Sequence, residues 1–265
     1  MRYKKYSVEE RFSPYVECIF SWEGQADKEL IIESPPAAFT SIVFNCGDLH
    51  YISNNKHTNL KVPKHFVSGQ AIRNYKLHLK GRISMVGIVF KPTGLFHYLN
   101  IPMYELTDER IELEQLIPAS KCFSKEMLNT TLQEKVKIIR KFLEFLEDRG
   151  HNARCGITEA ANKILESKGK IDLKRVLENV YMSRRQFERH FLEQVGVSPK
   201  AYSKIRRFGY TCSLLAGKRK VKLSRILYEC GYYDQSHFIR DFKYFAGRTP
   251  KFYIENNQEL AHLIE

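Results

Sequence analysis

The chain's six cysteines (Cys18, Cys46, Cys122, Cys155, Cys212, Cys230) contain no C-x-x-C pair and no Cys/His spacing that would ligate zinc. Reduced thiols in a cytosolic protein are the expectation. No run of 18 apolar residues occurs, so there is no candidate membrane-spanning helix. The first ten residues, MRYKKYSVEE, have no apolar core of the kind a signal peptide carries, and a cytoplasmic protein is expected. G-x-S-x-G, Walker and G-x-G-x-x-G patterns are lacking. His50, His57, His65, His78 and His97 include no H-x-H pair with an acidic partner at ligand spacing. These gaps predict no catalytic residue, no metal and no cofactor. Acidic residues are also short: 30 Asp and Glu face 43 Lys and Arg, a net charge of +13. The imbalance is uneven. Residues 151–265 hold 22 Lys and Arg against 12 Asp and Glu, whereas residues 1–150 hold 21 against 18. A net +10 in the second part and +3 in the first point to a polyanion partner for the second part. At 265 residues the chain suits two domains.

What is present is a repeat. Ser183 to Tyr202 reads SRRQFERHFLEQVGVSPKAY, and Asp234 to Tyr253 reads DQSHFIRDFKYFAGRTPKFY. At an offset of 51 residues, Phe187 meets Phe238, Arg189 meets Arg240, Phe191 meets Phe242, Gly196 meets Gly247, Pro199 meets Pro250, Lys200 meets Lys251 and Tyr202 meets Tyr253. Matching residue types at matching spacings indicate two copies of one supersecondary unit. Each copy predicts a helix with its own caps. Ser183 with Gln186 forms a capping box, and Asp234 caps the second copy. The i, i+4 phenylalanines give each helix one aromatic face. Gly196 and Gly247 fall at the left-handed C′ position. Ser198-Pro199 and Thr249-Pro250 then start a new helix. A short amphipathic helix precedes each copy, at Ile171 to Asn179 and at Leu223 to Cys230, so each unit reads as a helix-turn-helix with Gly231 in the second turn.

The polar faces carry Arg184, Arg185, Glu188 and Arg189 in the first copy, and Gln235, Ser236, His237 and Arg240 in the second. Arg and Gln make bidentate contacts to guanine and adenine edges in the major groove. A solvated face explains any one such helix; two capped helices with Arg at one matched place point to DNA reading. No RNA-binding signature is present. The stretch GYYDQSHFIRDFKYFAGRTPKFY (Gly231 to Tyr253) and MSRRQFERHF (Met182 to Phe191) resemble the AraC/XylS family of bacterial transcription regulators, over roughly Thr158 to Asn256. The resemblance implies two helix-turn-helix modules joined by one long helix, with both recognition helices in adjacent major grooves. By place and type, Arg185, Glu188 and Arg189 match the base-reading positions of the first module, and Gln235, Ser236, His237 and Arg240 those of the second. There are departures. Leu177 and Tyr181 stand where the family has a small residue and Gly, and a Tyr in a left-handed turn is strained. Gly209 interrupts the joining helix at about 1 kcal/mol relative to Ala, and Thr211 replaces a frequent Ala.

Residues 1–118 differ in texture. Val16 to Trp22, Thr40 to Asn45, Asn74 to Leu79 and Ser84 to Phe90 are strand-like, with turn signals at Pro35-Pro36, Cys46-Gly47-Asp48, Asn54-Asn55, Ser68-Gly69 and Lys80-Gly81. Short strands with such turns predict a sandwich or barrel. Helices are expected at about Leu95 to Asn100 and Glu112 to Leu116. RFSPYVECIFSWEG and VGIVFKPTGLFHYLNIPMYELTDERIELEQL (Val86 to Leu116) are similar to the cupin-like N-terminal domain that precedes many AraC-type domains. That implies a small β-barrel whose mouth could hold a small-molecule effector. Phe90, Pro92, Gly94 and Leu95 read as structural.

Residues 119–152 follow as a linker with an amphipathic helix, begun by Thr130 with Gln133 or Thr131 with Glu134. Leu132, Val136, Ile139, Leu143 and Leu146 form a stripe of coiled-coil spacing. It packs either on its own barrel or against a second copy as a homodimer contact. The joining helix, Pro199 to about Leu215, spans roughly 25 Å, within reach of one DNA turn of about 34 Å. Gly217 ends it, and Lys218, Arg219, Lys220 and Lys222 form a basic loop that either meets phosphates or is simply solvated.

The expected fold is α+β: a cupin-like β-barrel at residues 1–118 and an all-α double helix-turn-helix at residues 153–257. The expected function is a sequence-specific DNA-binding transcription regulator, not an enzyme. Its partners would be duplex DNA, an effector at the N-terminal domain and, for an activator, RNA polymerase. The competing reading is a basic adaptor that binds an acidic protein without reading bases.

Overall fold

The computed structural model describes residues 1–36, 38–150, 154–215 and 222–256. The N-terminal strands are β1 (Arg2–Tyr6), β2 (Val16–Ser34), β3 (Thr40–Asn45), β4 (Tyr51–Ser53), β5 (Leu60–Lys61), β6 (His65–Ser68), β7 (Tyr75–Phe90) and β8 (Arg110–Glu112). All pair antiparallel along the path β1-β2-β7-β3-β6-β8, with β4 on the first part of β7 and β5 on β4. Hydrophobic alternation divides this sheet into two buried faces. Phe20, Trp22, Val43, Phe66 and Met85 fill one face. Their chain neighbours Ile19, Ile42, Phe44, Val67 and Val86 point to the other. The second face is covered by α1 (Gly94–Leu99), α2 (Leu113–Leu116), α3 (Ser120–Glu126) and α4 (Leu132–Glu147).

Two strands are longer than expected. The runs Asn74 to Leu79 and Ser84 to Phe90 belong to one strand, β7, and the turn expected at Lys80-Gly81 is absent. Gly81 has φ +80°, and a Cβ there would sit 2.1 Å from Asp48 Oδ2. That carboxylate accepts from the Arg82 N–H at 2.7 Å. Glycine thus bends one strand where it was expected to end one. Opposite it, the β2–β7 register shifts between Ala26 and Leu30, so β2 and β7 each serve both halves of the sheet.

The stripe on α4 lies inside the chain. Val136, Ile139, Leu143 and Leu146 are buried, Leu132 packs against the same cluster, and Phe142 sits edge-on to Phe44 at 5.2 Å. Of the two surfaces offered for this stripe, its own domain or a second copy, the stripe meets its own domain, and side chains buried there are not available to a second copy. Thr131, with Glu134, supplies the capping box of α4.

The C-terminal helices are α5 (Cys155–Glu166), α6 (Leu173–Glu178), α7 (Arg184–Val195), α8 (Pro199–Leu215), α9 (Leu223–Glu229), α10 (Gln235–Ala246) and α11 (Pro250–Asn256). They share one core, built around Phe187, Phe191, Tyr202, Phe208, Phe238, Phe242 and Tyr253. The sequence repeat is a repeat of packing. Phe187 and Phe191 tilt together at 5.6 Å, as do Phe238 and Phe242. Phe191 meets Tyr202 edge-on at 5.8 Å, and Phe242 meets Tyr253 edge-on at 5.2 Å.

Candidate nucleic-acid interface

The sites are two helix-turn-helix units, α6–α7 and α9–α10, joined by α8. Caps fix where each second helix begins. Ser183 Oγ accepts from the Gln186 N–H at 3.3 Å while Gln186 Oε1 accepts from the Ser183 N–H at 3.0 Å. Asp234 Oδ1 accepts from the His237 N–H at 2.7 Å. Gly196 (φ +90°) and Gly247 (φ +70°) end the two helices in the left-handed region.

The expected base-reading side chains lie on the faces opposite the phenylalanines. Arg184, Arg185, Glu188 and Arg189 are exposed on α7, and Gln235, Ser236 and Arg240 on α10. They are not all independent. Arg184 Nε donates to Glu188 Oε1 at 2.9 Å across one helical turn, which leaves Arg185 and Arg189 as the cations not engaged by a carboxylate of α7. Arg189 Nη2 lies 3.4 Å from His190 Nε2. His237 is turned partly inward: its Nε2 is 3.4 Å from Asp241 Oδ2, and its ring stands edge-on to Tyr232 at 5.4 Å. Of the basic loop, Lys222 is exposed at the N-cap of α9, while Lys218, Arg219 and Lys220 lie outside the described residues.

The first turn solves the problem that Tyr181 posed. Tyr181 and Leu177 are not among the residues with positive φ, and the chain turns through a tight Met182 N–H to Val180 O bond of 2.7 Å. The second turn uses Gly231 at φ +67°. Tyr181 and Tyr233, one in each turn, are almost fully exposed, as is Tyr228 near the end of α9. In the sequence Tyr181 stood out only as a departure in the turn, and Tyr228 and Tyr233 were not singled out.

A second group could not be read from the motifs, because it comes from the N-terminal domain. Thr107 Oγ1 donates to Gly196 O at 2.9 Å. The Asn74 backbone N–H donates to Phe245 O at 3.1 Å, and its Nδ2 donates to Ala246 O at 3.2 Å. Tyr202 OH donates to Ala38 O at 3.1 Å, Thr93 and Thr158 hydroxyls meet at 3.0 Å, and Arg248 pairs with Glu33. Ala38 is itself part of the helical core. A cleft of about 200 Å³ opens beside this seam, lined by Lys56, Arg73, Asn74, Tyr75, Asp108 and Arg110 among others. Another, of about 450 Å³, lies beside Tyr98, Leu146 and Arg149. Among the described residues, no cluster of three His, Cys, Asp or Glu side chains could hold a metal, and no helix is long and apolar enough to cross a membrane.

A helix-turn-helix domain profile matches residues 177–256, and a domain of unknown function (DUF6597) matches residues 4–112. No curated protein matches the chain. Among solved structures, ToxT from Vibrio cholerae is 13% identical, covering 89% of this chain and 97% of its own, with a TM-score of 0.47. The same protein with an unsaturated fatty acid bound is 15% identical over 89% and 94%, with a TM-score of 0.42. The AraC-like transcriptional activator CuxR is 11% identical over 77% and 83%, with a TM-score of 0.27.

Proposed function

We propose that this chain is an AraC-type, DNA-binding transcription regulator, with its helix-turn-helix domain at residues 177–256, and that it reads two adjacent major-groove segments with α7 and α10. The observation that carries this reading is the duplicated unit itself. Two helices of equal length share equivalent caps and aromatic cores, and both keep Arg (Arg189, Arg240) exposed at one matched position. Arg185, Glu188 and Arg189 act on the first segment, and Gln235, Ser236 and Arg240 on the second. His237 adds a contact whose orientation Asp241 fixes. Arg184 and the Lys218–Lys222 loop serve the phosphates. On this reading the chain acts by binding DNA rather than by catalysis.

Effector control enters through the N-terminal domain. The sheet face lined by Phe20, Trp22, Phe66 and Met85 is filled by its own side chains. Of the two open clefts, the one that supports this part of the reading is the seam cleft, which Lys56, Arg73 and Arg110 border. Contact with RNA polymerase is the partner role an activator of this kind would add.

Selection from a random duplex library at moderate salt tests the reading. Enrichment of two short motifs about ten base pairs apart is the expected result. Binding without enrichment that vanishes as salt rises would overturn base reading and leave only a basic surface.

A further inference from the structure

The two recognition helices are held by the same end. Gly196 O, at the C-terminus of α7, accepts from Thr107 Oγ1 at 2.9 Å. A Cβ on Gly196 would come within 2.8 Å of Met103 O, so the segment bearing Thr107 packs backbone against backbone. Phe245 O and Ala246 O, at the C-terminus of α10, accept from the Asn74 N–H and Nδ2 at 3.1 and 3.2 Å. These are carbonyls that a helix leaves without an internal partner. The segments that carry Thr107 and Asn74 are also tied to each other. Asp108 Oδ1 accepts from the Ile72 N–H at 2.9 Å, the Asp108 N–H donates to Gln70 O at 3.0 Å, and the Gly69 N–H donates to Glu109 O at 3.3 Å. Gln70 is buried at the centre of this junction. Segments 69–74 and 107–109 therefore form one clip that grips both helices.

We infer that Thr107 and Asn74 are positioning residues for DNA reading: the clip fixes the separation and angle of α7 and α10, so the chain accepts a single spacing between its two half-sites. The inference rests on the two-reader function proposed above. Because the gripped ends are C-terminal, the N-terminal turns lie about 15–18 Å away along each helix, free to enter grooves. The joining helix is poorly suited to set the spacing alone. Its Gly209 lowers helix propensity, and Thr211 Oγ1 donates back to Arg207 O at 2.8 Å, a contact that bends helices. The clip supplies the stiffness that α8 lacks.

The test is duplex selection with the full chain, followed by binding to sites whose half-site spacing is changed by two base pairs either way. The wild type should enrich one spacing. The Thr107→Val, Asn74→Ala double variant should enrich several, and its discrimination between preferred and altered spacing should fall roughly tenfold. Thr107→Ser keeps the hydroxyl and should keep the wild-type spacing; melting curves show that each variant is folded. If the variants enrich the same single spacing as the wild type, α8 alone sets it and the inference fails while the two-reader function stands. Tighter binding at unchanged spacing would mean an inhibitory contact and would equally overturn it. A wild type that enriches only one motif removes the two-reader function and this inference with it.

Discussion

Lys204 on α8 and Asp241 on α10 form an ion pair, with Nζ 3.0 Å from Oδ1, and the second carboxylate oxygen lies 3.4 Å from His237 Nε2. Asp241 is buried, so the joining helix supports the exposed face of α10 through one carboxylate. Removing its lysine strands that charge. Lys204→Met is expected to cost about 1–3 kcal/mol in a urea titration, less than the roughly 3–5 kcal/mol of a fully buried pair, because the Lys204 side chain is 39% exposed and water shares its charge. It should also weaken the base preference at the position His237 contacts. An unchanged midpoint would remove the pair from the fold's energetics.

Base reading and charge attraction separate in two exposed residues. Arg240→Ala should weaken a selected site by about 1–3 kcal/mol and leave random duplex almost unaffected. Lys222→Ala should weaken all duplexes alike and lower the salt slope by about one. Titrations of both variants on selected and scrambled duplex at several salt concentrations check this. If the two behave alike, the assignment of Arg240 to a base edge is wrong.

Two glycines at the same place in the repeat should respond differently. Both have positive φ, so either alanine substitution is expected to cost on the order of 1 kcal/mol in backbone strain. At Gly247 nothing lies within 4 Å of the added Cβ, whereas at Gly196 it meets Met103 O at 2.8 Å and Thr107 Oγ1 at 3.0 Å. Gly196→Ala should therefore lose more stability than Gly247→Ala, by at least another 1 kcal/mol. Equal losses in thermal melting would mean that the domain seam is loose in solution.

His50 predicts an acid limb of stability. It is buried, and its imidazole is held down at about 4, first by burial and second by the Arg110 charge. An unfolded histidine titrates near 6.5. As pH falls below about 6.5 the unfolded chain takes a proton that the folded chain refuses. Stability is then lost until about pH 4, to a total on the order of 3 kcal/mol. His65 is also lowered, by burial first, so both contribute to the wild-type curve. The difference between wild type and His50→Gln in urea midpoints at pH 7 and pH 5 isolates His50: the variant should lose less on acidification. Parallel curves would contradict its burial.

The legible parts of this protein were those written in short range. Ser183 with Gln186, Asp234, Gly196 and Gly247 cap and end helices through contacts no more than four residues away, and they stand where their spacing put them. The 51-residue repeat and the concentration of charge after residue 150 likewise needed no fold to be seen. Where local rules failed, a distant partner had intervened. Gly81 reads as a turn until Asp48 closes against it. The α4 stripe has the spacing of a coiled coil, but spacing does not name the surface it meets, and here that surface is Phe44 and its neighbours.

By itself, then, the sequence determined two capped helix-turn-helix units on a basic domain and a strand-rich domain before them, since caps, periodicity and net charge are properties of neighbouring residues. Only the tertiary structure decided which apolar stripe was core and how the N-terminal domain holds both recognition helices. Thr107 and Gly196 are 89 residues apart, and Asn74 and Ala246 are 172. A hydrogen bond across that separation leaves no periodicity in the chain. It exists because the packing of the two domains against each other brings a hydroxyl, an amide and three helix-end carbonyls to one seam, where those carbonyls would otherwise lack a partner.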